Sequence, residues 1–215
     1  MGIALYNPRF LKLHLIKQET FMKKILWIVL IAVVGLGGYS LTKYNDLMRA
    51  EEDINSVWGN VESAYQRRAD LIPNLVNAVK GQANFEKDTL TAVMDARSKA
   101  TAVTINPNTA TEEEMAKFQA AQQDVNSSLS RLLVTVEKYP ELKAHEGFLN
   151  LQAQLEGTEN RINTERNNFN AAVKEYNKQV REMPTKIAAA IMGFKAKPQF
   201  KAEAGAEKAP VVNFN

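Results

Sequence analysis

The chain has 215 residues, of which 45% are hydrophobic and 24% charged, with a formal net charge of +3 and no cysteine. This length accommodates a membrane segment and one domain with a substantial core, and the lack of cysteine excludes disulfides and a cysteine-linked lipid anchor. Residues 1–24 and 193–215 carry the excess of basic residues, and the part between them has 18 basic and 21 acidic residues, which argues against nucleic acid as a partner because such binding needs clustered cations.

The N-terminal residues 1–21 show no clear pattern and precede a second methionine, Met22. Met22-Lys23-Lys24 opens a more typical start for a membrane protein. We therefore predict that Met22 is the native initiator and that residues 1–21 are a non-native or disordered extension.

Residues 25–41 form an apolar stretch of seventeen residues without a charge. At about 1.5 Å per residue, a helix of this length spans roughly 25 Å, close to the thickness of a membrane core. Trp27 and Tyr39 lie near its ends, where aromatic rings prefer the headgroup depth. We predict a transmembrane anchor over residues 22–43. A cleaved signal peptide is the alternative, but the stretch is long for one.

Basic residues are more numerous before the apolar stretch than after it, where Lys43 and Arg49 follow. The positive-inside rule therefore places the N-terminus in the cytoplasm and the remainder of the chain outside the cytoplasmic (inner) membrane.

Residues 44–192 show the spacing of three and four that is typical of amphipathic helices in a bundle. We predict a first helix ending in a turn near Asp70 and a second beginning near Pro73, with a single kinked helix as the alternative. A loop over residues 101–110 precedes a third helix, which Thr111 and Glu114 begin as a capping box. Pro140 separates the third helix from a long fourth one. The fold class is therefore all-α: a transmembrane helix followed by an antiparallel up-and-down four-helix bundle.

Three polar residues occupy successive positions of the fourth helix's apolar seam: Gln152, Glu159 and Arg166. Polar seam residues weaken a bundle but fix its register when they are paired. We predict a polar core layer in which Glu159 pairs with Arg97 or Arg166. The alternative is a rotation of the helix that leaves all three seam residues in water.

The C-terminal residues 193–215 have the Lys, Ala, Glu and Pro bias of a disordered basic tail. Because the fourth helix returns toward the membrane, we predict that cations and aromatics of the tail lie near the lipid surface. A solvated linker is the alternative. The residues concerned are Phe194, Lys195, Lys197, Phe200 and Lys201.

Several short motifs together resemble the LemA family over about residues 22–195. They are Tyr44-Asn45-Asp46-Leu47, Trp58, Arg67-Arg68-Ala69-Asp70-Leu71-Ile72-Pro73-Asn74-Leu75-Val76, Val79-Lys80-Gly81, Ala96-Arg97, Tyr139-Pro140-Glu141-Leu142-Lys143-Ala144, Glu159-Asn160-Arg161-Ile162, Phe169-Asn170 and Tyr176-Asn177. The resemblance implies an N-terminal membrane helix and an antiparallel four-helix domain. It implies no established catalytic activity, cofactor or ligand.

No catalytic, cofactor-binding or metal-binding residues can be assigned from the sequence. His14 and His145 lie far apart, and no second histidine follows His145 at the spacing of a zinc-protease helix. No nucleophile, base and orienting group form a recognisable combination. We therefore expect that the protein is not an enzyme.

The remaining hypothesis is a membrane-tethered scaffold or adaptor for another envelope protein, with a lipid- or small-ligand-binding bundle as the alternative. Turns near Asp70 and Pro140 would lie at the same end of the bundle, the one farthest from the membrane. We predict a partner-binding surface there, because binding groups are common on loops that a rigid scaffold carries. Its residues are Arg67, Arg68, Asp70, Tyr139 and Lys143. The alternative is that these side chains only pair with one another or cap helix ends.

Overall fold

In the computed structural model, the backbone of residues 8–81 and 85–202 and the side chains of residues 21–81 and 85–202 are described. Six helices and, within these ranges, no strand are present: α1 (Pro8–Lys80), α2 (Lys87–Ala102), α3 (Glu112–Val136), α4 (Pro140–Lys143), α5 (Glu146–Arg181) and α6 (Thr185–Met192). The predicted all-α fold is confirmed. The parts of the predicted extension and tail at residues 1–7 and 203–215 lie outside the described residues.

The chain divides into two compact units, Met1–Asp46 and Leu47–Asn215. In the first unit every side chain of residues 25–38 is exposed. Among the described residues, α1 is the helix that is long and apolar enough to cross a membrane. Residues 8–21 are also part of α1, so this part of the extension is helical rather than disordered, and its predicted non-native origin stays a prediction.

The second unit is an up-and-down bundle of α1, α2, α3 and α5. Four contacts give the directions of its helices: Glu51 with Tyr176, Arg68 with Glu159, Arg97 with Ala69, and Glu86 with Lys138. Residue numbers rise along α1 while those of its α5 contacts fall, so these helices are antiparallel. Glu86, just before α2, pairs with Lys138, just after α3, so these two helices are also antiparallel. The predicted antiparallel four-helix bundle is confirmed.

The predicted turn near Asp70 is wrong, because α1 continues through Pro73 to Lys80. Proline has no N–H to donate to the carbonyl four residues earlier, which here belongs to Ala69. Arg97 Nε donates to that oxygen instead, at 2.6 Å. The buried face of α1 also continues without a break through Ile72 and Val79. Packing and a replacement donor therefore outweigh the cost of an internal proline.

The connections on either side of α2 and α3 agree more closely with the sequence. Thr111 and Glu114 form the predicted capping box at the start of α3, with each side chain bound to the other residue's backbone N–H. The turn at Tyr139-Pro140 is present, but a separate four-residue helix follows it, and α5 begins only at Glu146. The first connection of the bundle lies after Lys80.

Two hydrophobic clusters fill the bundle. The first, which we call the aromatic cluster, contains most of the buried rings: Trp58, Tyr65, Phe118, Phe169, Tyr176 and Phe200, together with aliphatic neighbours such as Leu47, Ile54, Val61 and Ile162. The second, the aliphatic cluster, contains Leu71, Ile72, Leu75, Val79, Val93, Val125, Leu129, Leu132, Val136 and Leu155, with Phe148 as its one fully buried ring among the described residues. Along α1, Arg68 lies between Tyr65, the last residue of the helix in the aromatic cluster, and Leu71, its first residue in the aliphatic cluster.

The predicted disordered tail is wrong at its beginning. Residues 194–201, which we call the strap, lie against the bundle, and Lys197 and Phe200 are buried within it. Neither residue is therefore available at a lipid surface, which contradicts the position that the sequence predicted for both. Composition suggested disorder because residues 193–215 are rich in Lys, Ala, Glu and Pro, but Phe200 completes the aromatic cluster and Lys197 pairs with Glu51.

Candidate functional site

A lateral groove of about 840 Å³ follows the middle of α1. Its other walls are the end of α2, the connection to α3, the first half of α3, and Gln154 of α5. Lining residues include Glu62, Gln66, Arg67, Arg68, Asp70, Asn74, Arg97, Thr101, Thr104, Phe118, Gln122 and Gln154. The groove lies within the second unit and is open to solvent.

Arg68 lies beneath this groove at the centre of a polar layer. Its side chain is 3% exposed and forms an ion pair with Glu159, with 2.9 Å between Nη1 and Oε2. The guanidinium also donates to the side-chain oxygens of Gln122 and Asn126. The Asn126 amide in turn donates to Glu159 at 3.2 Å. Helices α1, α3 and α5 are therefore joined through one buried cation whose donors have charged or polar acceptors.

Arg97 provides the second polar contact of the groove. Its Nε donates to the Ala69 carbonyl that Pro73 leaves without a partner. Since an unpaired buried carbonyl costs about 1–3 kcal/mol, this contact stabilises the internal proline of α1. The Arg97 side chain thus joins α2 to α1. It does not pair with Glu159, although the sequence predicted Arg97 as a possible partner.

Only part of the predicted polar core layer is correct. Glu159 is paired, but with Arg68, and neither Arg97 nor Arg166 is its partner. Gln152 is exposed. Arg166 instead contacts the strap, where it lies 4.9 Å from the Phe200 ring centre and donates to the Lys201 carbonyl.

The structure separates the predicted partner-binding residues into two groups. Arg67, Arg68 and Asp70 line the groove, because α1 does not turn at Asp70. Arg67 and Asp70 are exposed, whereas Arg68 is buried and cannot belong to a surface. Asp70 accepts a hydrogen bond from the Gln66 amide at 2.8 Å.

Tyr139 and Lys143 lie instead at the turn end, which we define as residues 85–86 before α2 together with residues 137–145. There Lys143 pairs with Glu137, and the Tyr139 ring lies 5.2 Å from that of Phe85. A common surface containing all five predicted residues is therefore wrong.

The strap occupies a second candidate site, which sequence reasoning missed. Asn177 binds both the N–H and the C=O of Lys197, and Asn170 does the same for Phe200. Gln119 binds both backbone groups of Lys201. We call these three amide side chains the clamp. The pairs Phe169-Asn170 and Tyr176-Asn177, which carry part of the family resemblance, were the available signal.

The electrostatic environment of the second site affects one tyrosine. Burial, together with the charge of Glu51 and a hydrogen bond to it, raises the pKa of Tyr176 well above its ordinary value. The hydroxyl donates to Glu51 at 3.1 Å. At the start of α3, hydrogen bonds from Thr111 lower the pKa of Glu114, as the capping box requires.

Metal binding has no candidate in the part of the chain that the structure describes. No group of three or more His, Cys, Asp or Glu side chains there is arranged to hold an ion. His145 is exposed at the start of α5, and the side chain of His14 lies outside the described residues.

Known proteins that resemble this chain include members of one family. The model of the LemA family matches residues 57–214. Magnetosome protein MamQ 2 of Paramagnetospirillum magneticum is 27% identical over 202 residues, which cover 86% of this chain and 74% of that protein. Protein LemA of Metamycoplasma hominis is 24% identical over 136 residues, or 63% of this chain and 58% of its own length. With the exposed apolar helix, these relatives indicate a membrane-associated helical protein, and the chain belongs to the LemA family.

Proposed function

We propose that this protein is a non-catalytic scaffold or adaptor, anchored in the cytoplasmic membrane by α1, that binds another envelope protein at the lateral groove. The observation that carries the proposal is the buried Arg68 layer beneath the groove. It links three helices through one cation, so the groove has a rigid floor. A preformed surface binds a partner with a smaller loss of conformational entropy.

The rim of the groove offers groups that suit recognition of a protein. Arg67 and Asp70 are exposed there with opposite charges, and the apolar lining residues Leu71 and Ile105 are buried between them and the core. Arginine is enriched at the energetic centres of interfaces.

The decisive experiment is photo-crosslinking in intact membranes from a reactive amino acid at position 67. We expect one stoichiometric envelope protein to be captured. Arg67→Glu should abolish copurification of that same protein while leaving the melting temperature nearly unchanged, because Arg67 is exposed. Glu175→Lys, an exposed charge reversal on α5, should retain it. Equal capture by both variants would exclude the groove as the binding surface.

The proposed orientation places the second unit outside the cytoplasmic membrane. The chain has no cysteine, so a single cysteine at the exposed Glu156 can report its side. In intact spheroplasts, a maleimide that does not cross membranes should label Glu156→Cys. Labelling only after lysis would show that the second unit lies on the cytoplasmic side, which would contradict the proposed orientation.

A lipid- or small-ligand-binding bundle is the second candidate. The volume of the groove supports this candidate, because it falls within the usual range of ligand sites, about 300–1,000 Å³. Mass spectrometry of the protein purified in detergent separates the two. A bound lipid that Ala100→Trp displaces, without any protein partner, would favour the ligand.

A further inference from the structure

The strap binds the bundle through its backbone in a regular way. Asn170 and Asn177 are seven residues apart on α5, a rise of about 10.5 Å. Their partners, Phe200 and Lys197, are three residues apart, and an extended chain of three residues spans about 10 Å. The strap is therefore extended and runs antiparallel to α5, which supplies one clamp amide for about every two of its turns.

Each clamp amide satisfies both backbone groups of one strap residue. The distances are 2.7 and 2.8 Å from Asn177 to Lys197, 2.8 and 3.0 Å from Asn170 to Phe200, and 3.2 and 3.0 Å from Gln119 to Lys201. Backbone bonds of this type supply affinity that does not depend on the sequence of the bound segment. A further groove of about 370 Å³ runs beside the strap between α3 and α5.

A lysine pocket supplies the first element of sequence specificity. The Lys197 side chain is 3% exposed, and its Nζ lies 2.8 Å from the Glu51 carboxylate. It also donates to the backbone and side-chain oxygens of Asn108, both at 3.1 Å, and lies 4.9 Å from the Tyr176 ring centre. A buried ammonium group with this set of acceptors selects lysine over an apolar residue.

An aromatic box supplies the second element. The Phe200 ring is stacked on Trp58 at 5.9 Å and lies edge-on to Phe169 at 5.4 Å, with Phe118 at 6.3 Å. The guanidinium of Arg166 lies over the same ring, 4.9 Å from its centre. Aromatic contacts of this kind add to the free energy gained by burying the ring.

We propose that the clamp, the lysine pocket and the aromatic box form a recognition site for an extended peptide with phenylalanine three residues after lysine, and that this site accepts the strap of a second copy of the chain. The strap of this protein is the one segment shown to fit the site, and a second copy carries the same segment. Exchange between copies restores every contact, so its cost in interactions is small.

Two features favour exchange of the strap. Gly193 joins α6 to the strap in the left-handed conformation, with φ of 84°, and glycine can leave that conformation without steric penalty. The strap therefore has a pivot directly before it. Anchoring copies in one membrane also raises their effective concentration for each other. Apart from Phe118, the strap site shares no described lining residue with the lateral groove, so the inference does not depend on the proposed partner there.

Complementation between two full-length variants tests the exchange. The acceptor carries Lys197→Glu and Phe200→Ala, which spoil its own strap, and a cysteine at Glu112. The donor carries Asn170→Ala and Asn177→Ala, which spoil its own clamp, and a cysteine at Lys201. In the native chain the side chains of Lys201 and Glu112 form an exposed ion pair at 3.2 Å. The chain has no other cysteine.

The two variants are reconstituted together in liposomes and treated with a short bis-maleimide. We expect a covalent donor–acceptor dimer, with a yield at least about tenfold above that from a matched donor that also carries Lys197→Glu and Phe200→Ala, since each lost anchor weakens binding by an order of magnitude or more. Equal yields from both donors would overturn the inference.

Circular dichroism checks that each variant is folded. If the substitutions unfold the donor or the acceptor, a single variant replaces both of them. This variant carries only Glu112→Cys and Lys201→Cys, and it is prepared in a light and a heavy isotopic form. Crosslinks that join light and heavy copies then support exchange, and crosslinks confined to single copies contradict it. A synthetic peptide of residues 194–201 that binds the acceptor without any such exchange would also contradict the second copy as the occupant.

Discussion

The aromatic and aliphatic clusters close the bundle core in different ways. Every buried residue of the aliphatic cluster lies on one of the helices α1 to α5. The aromatic cluster contains six buried rings, one of which, Phe200, comes from the strap rather than from a helix. The stability of the two halves should therefore respond differently to changes near the C-terminus.

The largest effect is expected for Phe200→Ala. Removing a buried phenylalanine costs about 3–5 kcal/mol of unfolding free energy. Phe200 is 5% exposed, so we expect a loss in this range by urea denaturation in detergent. Lys195→Ala, at an exposed position of the strap, is the matched control and should change stability by less than about 0.5 kcal/mol. Equal small effects would mean that the strap is not part of the folded core.

The layer between the clusters provides the second prediction. Glu159→Gln keeps the shape of the side chain but removes the charge that faces Arg68. Glu159 is about one-third exposed, so solvent screens part of the interaction. We expect a loss of about 1.5–3 kcal/mol, the usual value for a hydrogen bond to a charged group.

Glu156→Gln is the control for this change, because Glu156 is exposed on the same helix. It should have almost no effect on the midpoint of urea denaturation. A loss for Glu159→Gln no larger than that for the control would contradict the account of the layer.

The third prediction concerns the internal proline of α1. Arg97→Ala should cost about 1–2 kcal/mol, because the Ala69 carbonyl loses its donor. In a Pro73→Ala background, the new backbone N–H can bond to Ala69, and the same Arg97→Ala change should cost measurably less. A double-mutant cycle checks this coupling. Additive effects would show that Arg97 does not compensate for the proline.

The smallest effect is a pH dependence. Because the pKa of Tyr176 is raised in the folded state, its stabilising contribution is fully present below about pH 10 and is lost as the pH rises toward the folded-state value. The stability difference between the native chain and Tyr176→Phe should therefore shrink as the pH rises from about 9.5 to about 11.5. A difference that stays constant in urea denaturation over this range would contradict the assigned environment.

Sequence reasoning predicted most of the helices because their buried faces repeat every three or four residues. It also predicted the cap at Thr111, since a capping box needs only neighbouring residues. It failed at Pro73 because the compensating donor, Arg97, is distant in the sequence. Local propensity favoured a turn there, and a tertiary contact removed the need for one.

The candidate sites were harder to predict for the same reason. Glu159 was recognised as a paired residue, but its partner Arg68 lay in a segment assigned to a turn. The composition of the strap predicted disorder. Composition contains no information on the pockets that the bundle forms for Lys197 and Phe200. Pockets formed by several helices have no signature in a local window of sequence.

Hydrogen exchange of the strap amides in the full-length protein tests the central claim most directly. The N–H groups of Lys197, Phe200 and Lys201 each donate to a clamp side chain. We predict that these amides exchange far more slowly than those of an unstructured peptide, and that Asn170→Ala with Asn177→Ala accelerates Lys197 and Phe200 while amides of the aliphatic cluster stay protected. Exchange of all three at the unstructured rate in the native chain would contradict the account.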